Sequence, residues 1–252
     1  MIRSRRRAVL SALPLAVLAA LLGGAAEPLP TPPMLAEAGW RMGAWHGMAP
    51  ARFDPMPPRI RSAAGEAWAL LPGVLLRAEP GEGGFVWRRL AGPPGCLAWR
   101  WRVDAGPPPT DLTRRGGEDR AISISVGFDG WPPEAGAWAR ARHAAAQAAL
   151  GDGQPLPRSM LIYVWGGTGR EPAPFFASPW LGGIGQVRVL RPADAPRGVW
   201  LEERVDLAAE WRAAFGAEGP PPLIKISIGT DTDDTRSRVH AAVADLRLEP
   251  CR

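Results

Sequence analysis

Short runs of alternating apolar and polar residues, each closed by glycine, proline or aspartate, constrain this chain more than any motif does. Leu97, Trp99, Trp101 and Val103 share one face of a run whose other face carries Arg100 and Arg102. Ile122, Ile124, Val126 and Phe128 stand opposite Ser123, Ser125 and Gly127. Val187 and Val189 oppose Gln186 and Arg188, and Ile224, Ile226 and Ile228 oppose Lys225 and Ser227. A period of two sends one set into a core and the other toward water or a ligand. The pattern predicts strands over 68–71, 74–78, 84–90, 97–104, 121–129, 160–165, 185–190, 199–206, 223–230 and 242–248. Residues 160–165 are apolar on both faces, which predicts a central strand. Two helices are expected in connections, at 133–150 and at 207–215, the second ending at Gly216 in the C-cap position. Many short strands with irregular connections predict a mainly β fold, a two-sheet β-sandwich of jelly-roll type.

The first 26 residues read differently. Arg3, Arg5, Arg6 and Arg7 precede an apolar run broken only by Ser11, and Gly24-Ala25-Ala26 offers the small residues of a cleavage site. That is the layout of a secretion signal, too short in its apolar part for an ordinary membrane span. Arg6-Arg7 also fits a twin-arginine signal. The expected organisation is a signal over 1–26, a Pro-rich lead-in over 27–37 that is extended or loose, and one domain over 38–252. The expected location is the periplasm or the exterior, with membrane contact only through an uncleaved signal. Four of the charges behind the formal net +5 lie in that segment, so the remainder is close to neutral and gives no nucleic-acid signature. The cations are 29 arginines and one lysine, Lys225, and with 30 glycines and 29 prolines this reads as coding bias.

Cys96 opens a predicted strand and Cys251 follows another. An oxidising compartment permits them to pair, and two free thiols are the alternative.

Three groups of residues are candidates for a site. Arg100, Arg102, Arg188, Arg204 and Lys225 would line the outer face of one sheet if their strands share it. Such a face suits an extended anionic ligand, above all a saccharide, because arginine offers forked donors and an aromatic stacks under a sugar ring. An ordinary solvated face crossed by ion pairs is the competing reading. Tyr163 and Trp165 lie on one side of their strand, where they either floor a pocket or pack in the core. Glu203 falls on the apolar face of 199–206, so it needs an arginine partner, a role in a site, or a local bulge. Finally, Asp231-Thr232-Asp233-Asp234-Thr235 gathers hard oxygen donors that Asp119 and Glu118 would complete as a structural Ca²⁺ site. A metal-free turn with aspartates capping backbone N–H groups is the alternative. No other cofactor is expected.

Catalytic motifs are sparse. His46, His143 and His240 lack zinc-site spacing, no Gly-x-Ser-x-Gly elbow is present, and Gly166-Gly167-Thr168-Gly169 lacks the Lys-Ser/Thr of a phosphate loop.

In the C-terminal half, Tyr163-Val164-Trp165, residues 200–206, Trp211 through Gly216, and residues 226–235 occur in an order that resembles the bacterial domain-of-unknown-function 3047 family. Residues 97–104 and 119–129 are similar to its N-terminal half, so the likeness spans about 38–249. Asp234 stands where that pattern has Asn, and Ala244-Asp245 where it has Gly-Asp after an aromatic. The resemblance implies an exported or envelope-associated protein with no established reaction, and it directs attention to Trp165, Glu203, Arg204, Asp231, Asp233 and Asp245. The resulting expectation is a non-catalytic envelope protein that binds a saccharide or other cell-wall component. A polysaccharide hydrolase or lyase, or a structural or assembly protein of the envelope, is the alternative.

Overall fold

The computed structural model describes residues 28–45, 47–56, 73–150 and 153–251. The signal segment, His46 and the strand expected at 68–71 lie outside the described residues.

The strands are β1 (Pro28–Leu29), β2 (Arg41–Gly43), β3 (Ala49–Pro50), β4 (Arg52–Met56), β5 (Gly73–Ala78), β6 (Glu82–Gly92), β7 (Cys96–Ala105), β8 (Arg120–Phe128), β9 (Ser159–Gly166), β10 (Phe176–Ser178), β11 (Gly182–Arg191), β12 (Leu201–Asp206), β13 (Leu223–Asp231) and β14 (Val239–Glu249). Three helices join them: α1 (Pro33–Glu37), α2 (Ala137–Leu150) and α3 (Leu207–Phe215). Among the described residues the strands form two sheets. The larger has nine strands in the order β1-β2-β6-β13-β8-β9-β11-β10, with β3 also on β6; the smaller has five, in the order β12-β7-β14-β5-β4. Pairing is antiparallel apart from β9 with β11 and β3 with β6. The fold is therefore mainly β, two packed sheets with a few short helices. No helix among the described residues is long and apolar enough to cross a membrane.

The two sheets close over the apolar sides of the alternating runs. Trp99 and Trp101 of β7 meet Tyr163 and Trp165 of β9 across the core, with ring centroids 5.6 Å and 5.5 Å apart. Ile122, Ile124, Val126 and Phe128 of β8 and Ile226 and Ile228 of β13 are fully buried beside them. Helix α3 covers one end of the core through Leu207 and Trp211. Its start is fixed by the Asp206 carboxylate, which accepts from Ala208 N and Ala209 N at 2.9 and 3.2 Å, and its end by Gly216 at φ 64°. Helix α2 builds a separate small apolar cluster with Leu156 and Ile184.

Three expectations need correction. The lead-in is not loose: β1 pairs with β2, and Leu35 of α1 is fully buried in the main core. Strands β1 to β4 and β10 escaped the reading, because pieces of two to five residues are too short to display a period, and Pro55 within β4 marks an edge strand. In β11 the phase is inverted. Val187 faces outward and Arg188 turns inward to pair with Glu210 of α3, because the outer face of the large sheet is itself apolar at that point.

The cysteine pair is a disulfide, Cys96–Cys251, at a Cα–Cα distance of 5.0 Å. It joins two ends that already lie side by side, since Glu249 of β14 is in register with Cys96 of β7.

Candidate functional site

The outward face of the nine-stranded sheet holds a cleft with a cavity volume of about 410 Å³. Period-two alternation makes its floor in two halves. Ser123 and Ser125 of β8 and Lys225 and Ser227 of β13 provide a polar strip, because their neighbours in sequence are the isoleucines of the core. Met160, Ile162 and Val164 of β9, with Val187 of β11, provide an apolar strip alongside it. Phe85 of β6 borders the floor, Trp45 and Trp180 stand at the sides, and Pro157 closes one end. Trp180 is 41% exposed; Arg115 lies over one side of its ring, with Cζ 4.5 Å from the centroid, so any ligand meets the indole at its other side.

The other end of the cleft is acidic. Asp119 is fully buried and organises it: its carboxylate accepts from Thr235 N at 2.7 Å, from Asp234 N at 3.3 Å and from the Thr235 hydroxyl. Thr232 Oγ1 donates to Glu82 O at 2.7 Å, which ties the same loop to β6. Oxygens of Asp119, Asp233 and Asp234 lie within 4.8 Å of one another, so these three carboxylates are the set able to hold a hard cation. Asp231, at the end of β13, is 5% exposed and lies 3.5 Å from Arg120 Nη1. Burial pushes its carboxyl up to about 8; the nearby Asp233 and Asp119 add to this, and Arg120 opposes it. Asp231 Oδ1 is buried without a hydrogen-bond partner among the described residues. Burial, then Asp233 and Glu118, raise Asp234 to about 6. Glu118 accepts from the Trp180 indole N–H, and Arg120 lies 5.8 Å from the Trp45 ring, so both wall aromatics are held by the charged end.

Lys225 is 5% exposed, with its Nζ 4.9 Å from the Trp87 ring centroid and 5.5 Å from that of Phe85. Burial pushes its ammonium down to about 7.

The structure does not gather the expected basic face. Lys225 alone of that set lines the cleft. Arg100, Arg102 and Arg204 lie on the other sheet, where Arg102 pairs with Asp104 at 2.6 Å, Arg204 with Glu249 at 3.0 Å and Arg100 with Asp245 at 3.5 Å. That face is crossed by ion pairs. Arg188 belongs to neither face, as described above. Tyr163 and Trp165 are 0% and 1% exposed and pack between the sheets, so they do not floor a pocket. Glu203 also points inward; it accepts from Trp101 Nε1 at 3.0 Å and pairs with Arg191 at 2.6 Å. Asp245 sits at the irregularity in β14 with φ 55°, a left-handed conformation that aspartate tolerates better than most residues. The site residues that sequence reasoning missed are Trp45, Trp180 and Arg120. Both tryptophans stand in irregular segments where no periodicity assigns a direction.

No curated protein matches the chain. Among solved structures the chain is similar to the xyloglucanase domain of NopAA, a type three effector from Sinorhizobium fredii, in complex with cellobiose. The identity is 8%, the match covers 88% of this chain and 96% of that one, and the TM-score is 0.41, too slight a likeness to bear on the cleft. The model of the family described as protein of unknown function (DUF3047) matches residues 91–247, and the chain belongs to that family.

Proposed function

We propose that this is an exported protein whose cleft binds a saccharide or another cell-wall component. The observation that carries the reading is the cleft's composition. Two indoles, Trp45 and Trp180, flank a floor in which the hydroxyls of Ser123, Ser125 and Ser227 run beside an apolar strip. A sugar ring has an apolar face that stacks on an aromatic and a rim of hydroxyls that exchange hydrogen bonds with such groups. The test is a glycan-array screen of the chain recovered from the exported fraction, followed by titration of any hit against Trp180→Ala. The expected result is binding that weakens about tenfold in the variant, and an array without hits sinks the reading.

One observation favours hydrolysis of the bound saccharide as a second reading. Burial pushes the Asp231 carboxyl up to about 8 and that of Asp234 up to about 6 at one end of the cleft, and two carboxyl groups set apart in this way are what glycosidic cleavage uses. Release of reducing ends from a bound glycan, abolished in Asp231→Asn, would establish it; an intact glycan after prolonged incubation would leave binding alone.

A further inference from the structure

A chain that uses arginine for every other cation places its single lysine inside the cleft. Lys225 is 5% exposed, and no carboxylate among the described residues lies within ion-pair distance of it. Its surroundings can be read from the register. On β6 the residue opposite is Arg89, an exposed cation, with Trp87 two pairs further along, opposite Ser227. On β8 the residue opposite is Gly127, which has no side chain to offer. A Cβ at Gly127 would lie 2.3 Å from Pro157 Cγ and 3.5 Å from Lys225 Cβ, so the proline is seated directly on the sheet beside the base of the lysine side chain. Ser125 and Ser227 face each other two pairs along, and Met160 lies beyond Gly127. The carboxylates that line the cleft, Glu118, Asp231, Asp233 and Asp234, belong to its other end together with Arg120. Asp231 is six residues from Lys225 along β13, and the lysine side chain leans toward that end, with Nζ 5.5 Å from the ring of Phe85, which pairs with Gly229.

Ring faces, hydroxyls and a proline solvate an ammonium poorly and supply no negative charge. The cation–π contacts at Trp87 and Phe85 offset part of that cost. A cation in such a place either gives up its proton or takes a counter-ion from outside. We infer that Lys225 is the seat for an anionic group of the bound ligand, so that the cleft takes a carboxylate-bearing, acidic saccharide in preference to a neutral one. This rests on the saccharide reading above for the identity of the ligand, though not for the presence of the anion seat. With burial holding the free amine near 7, a carboxylate placed on it restores the proton. Binding then takes up a fraction of a proton per ligand at pH 8, about 0.4 for a one-unit shift and more for a larger one, and little at pH 5.

The single lysine makes the test direct. The full chain labelled with [ε-¹³C]lysine gives one side-chain signal, whose pH midpoint reports Lys225 alone. Three probes are compared: trigalacturonate, the same trisaccharide with its carboxylates reduced to alcohols, and acetate. The expected result is an upward shift of the midpoint with trigalacturonate by one pH unit or more. Trigalacturonate should also bind at least tenfold tighter than the reduced form at pH 6, an advantage lost in Lys225→Met. Equal affinity for both trisaccharides with an unmoved lysine signal overturns the inference and leaves saccharide binding in place. A midpoint moved by acetate while neither trisaccharide binds upholds the anion seat and overturns the saccharide reading. A midpoint unmoved by all three overturns the inference outright.

Discussion

At the scale of single residues, two buried charges with opposite demands define the cleft. Lys225 is protonated in the unfolded chain up to its ordinary value of 10.5 but holds its proton in the folded chain only up to about 7. The unfolded state therefore binds more protons between these values, and stability rises with pH across that window. Lys225→Met removes the penalty. It is expected to raise the Tm by several degrees at pH 6 and to leave it nearly unchanged at pH 10.5, measured by calorimetry in parallel buffers. Asp119 works in the other direction, since its carboxylate satisfies two backbone N–H groups and one hydroxyl of the acidic loop. Asp119→Ala is expected to cost about 2–4 kcal/mol by leaving those donors unpaired. Thermal melting in a chelator-containing buffer checks this apart from any bound cation, and an unchanged Tm would show the loop to be held by other means. Lys225 and Ser227 were legible in the sequence because Ile224, Ile226 and Ile228, which alternate with them, fix the phase of β13. Tyr163 and Trp165 were not, because a strand apolar on both sides gives no phase to read.

At the scale of elements, the long strands were legible to within three residues at each end, and the reason is physical. Strands β7, β8 and β13 separate a core of isoleucine, tryptophan and valine from a more polar face, so burial and alternation agree there. Strand β11 shows how that reasoning fails. Its outward valine joins Val164 and Phe176 in an apolar patch on the outer face, while Arg188 turns inward because Glu210 of α3 neutralises it. Alternation identified the strand correctly and assigned its sides wrongly. The disulfide belongs to this scale too. It fastens the end of β14 to the start of β7 across a sequence separation of 155 residues. Its reduction is expected to cost about 2–4 kcal/mol and roughly 5–15 °C of Tm. Melting curves with and without a phosphine reductant measure this, and coincident curves would show the β7–β14 ladder to be sufficient alone.

Across the whole molecule, the two outer faces of the sandwich have diverged. One is an ion-paired surface; the other carries the cleft, with an acidic end, a lysine at a distance and indoles between. Composition could not foretell this division, because it depends on which strands share a sheet. Arg100 and Lys225 occupy equivalent alternation phases in their own strands and still end on opposite sides of the molecule. The export reading and the single-domain reading over 38–252 are proposals at this scale, and the second is already modified by Leu35, which places part of the lead-in within the core.

The order of strands also sets a timetable for folding. In the larger sheet β13 lies between β6 and β8, and in the smaller one β14 lies between β5 and β7. Each sheet is thus missing a central strand until residues 223–249 have joined, and the strands that flank the gap, β6 and β8 in one sheet and β5 and β7 in the other, wait with an open ladder. Assembly governed by such distant pairings is slow and exposes unpaired edges in the meantime. A fragment ending at residue 215 is accordingly expected to stay unfolded or to aggregate, as judged by circular dichroism and gel filtration. A fragment that folds cooperatively would refute this order. A chain with this wiring acquires its shape as one late event, so a partner that holds back the last thirty residues would hold back the entire protein.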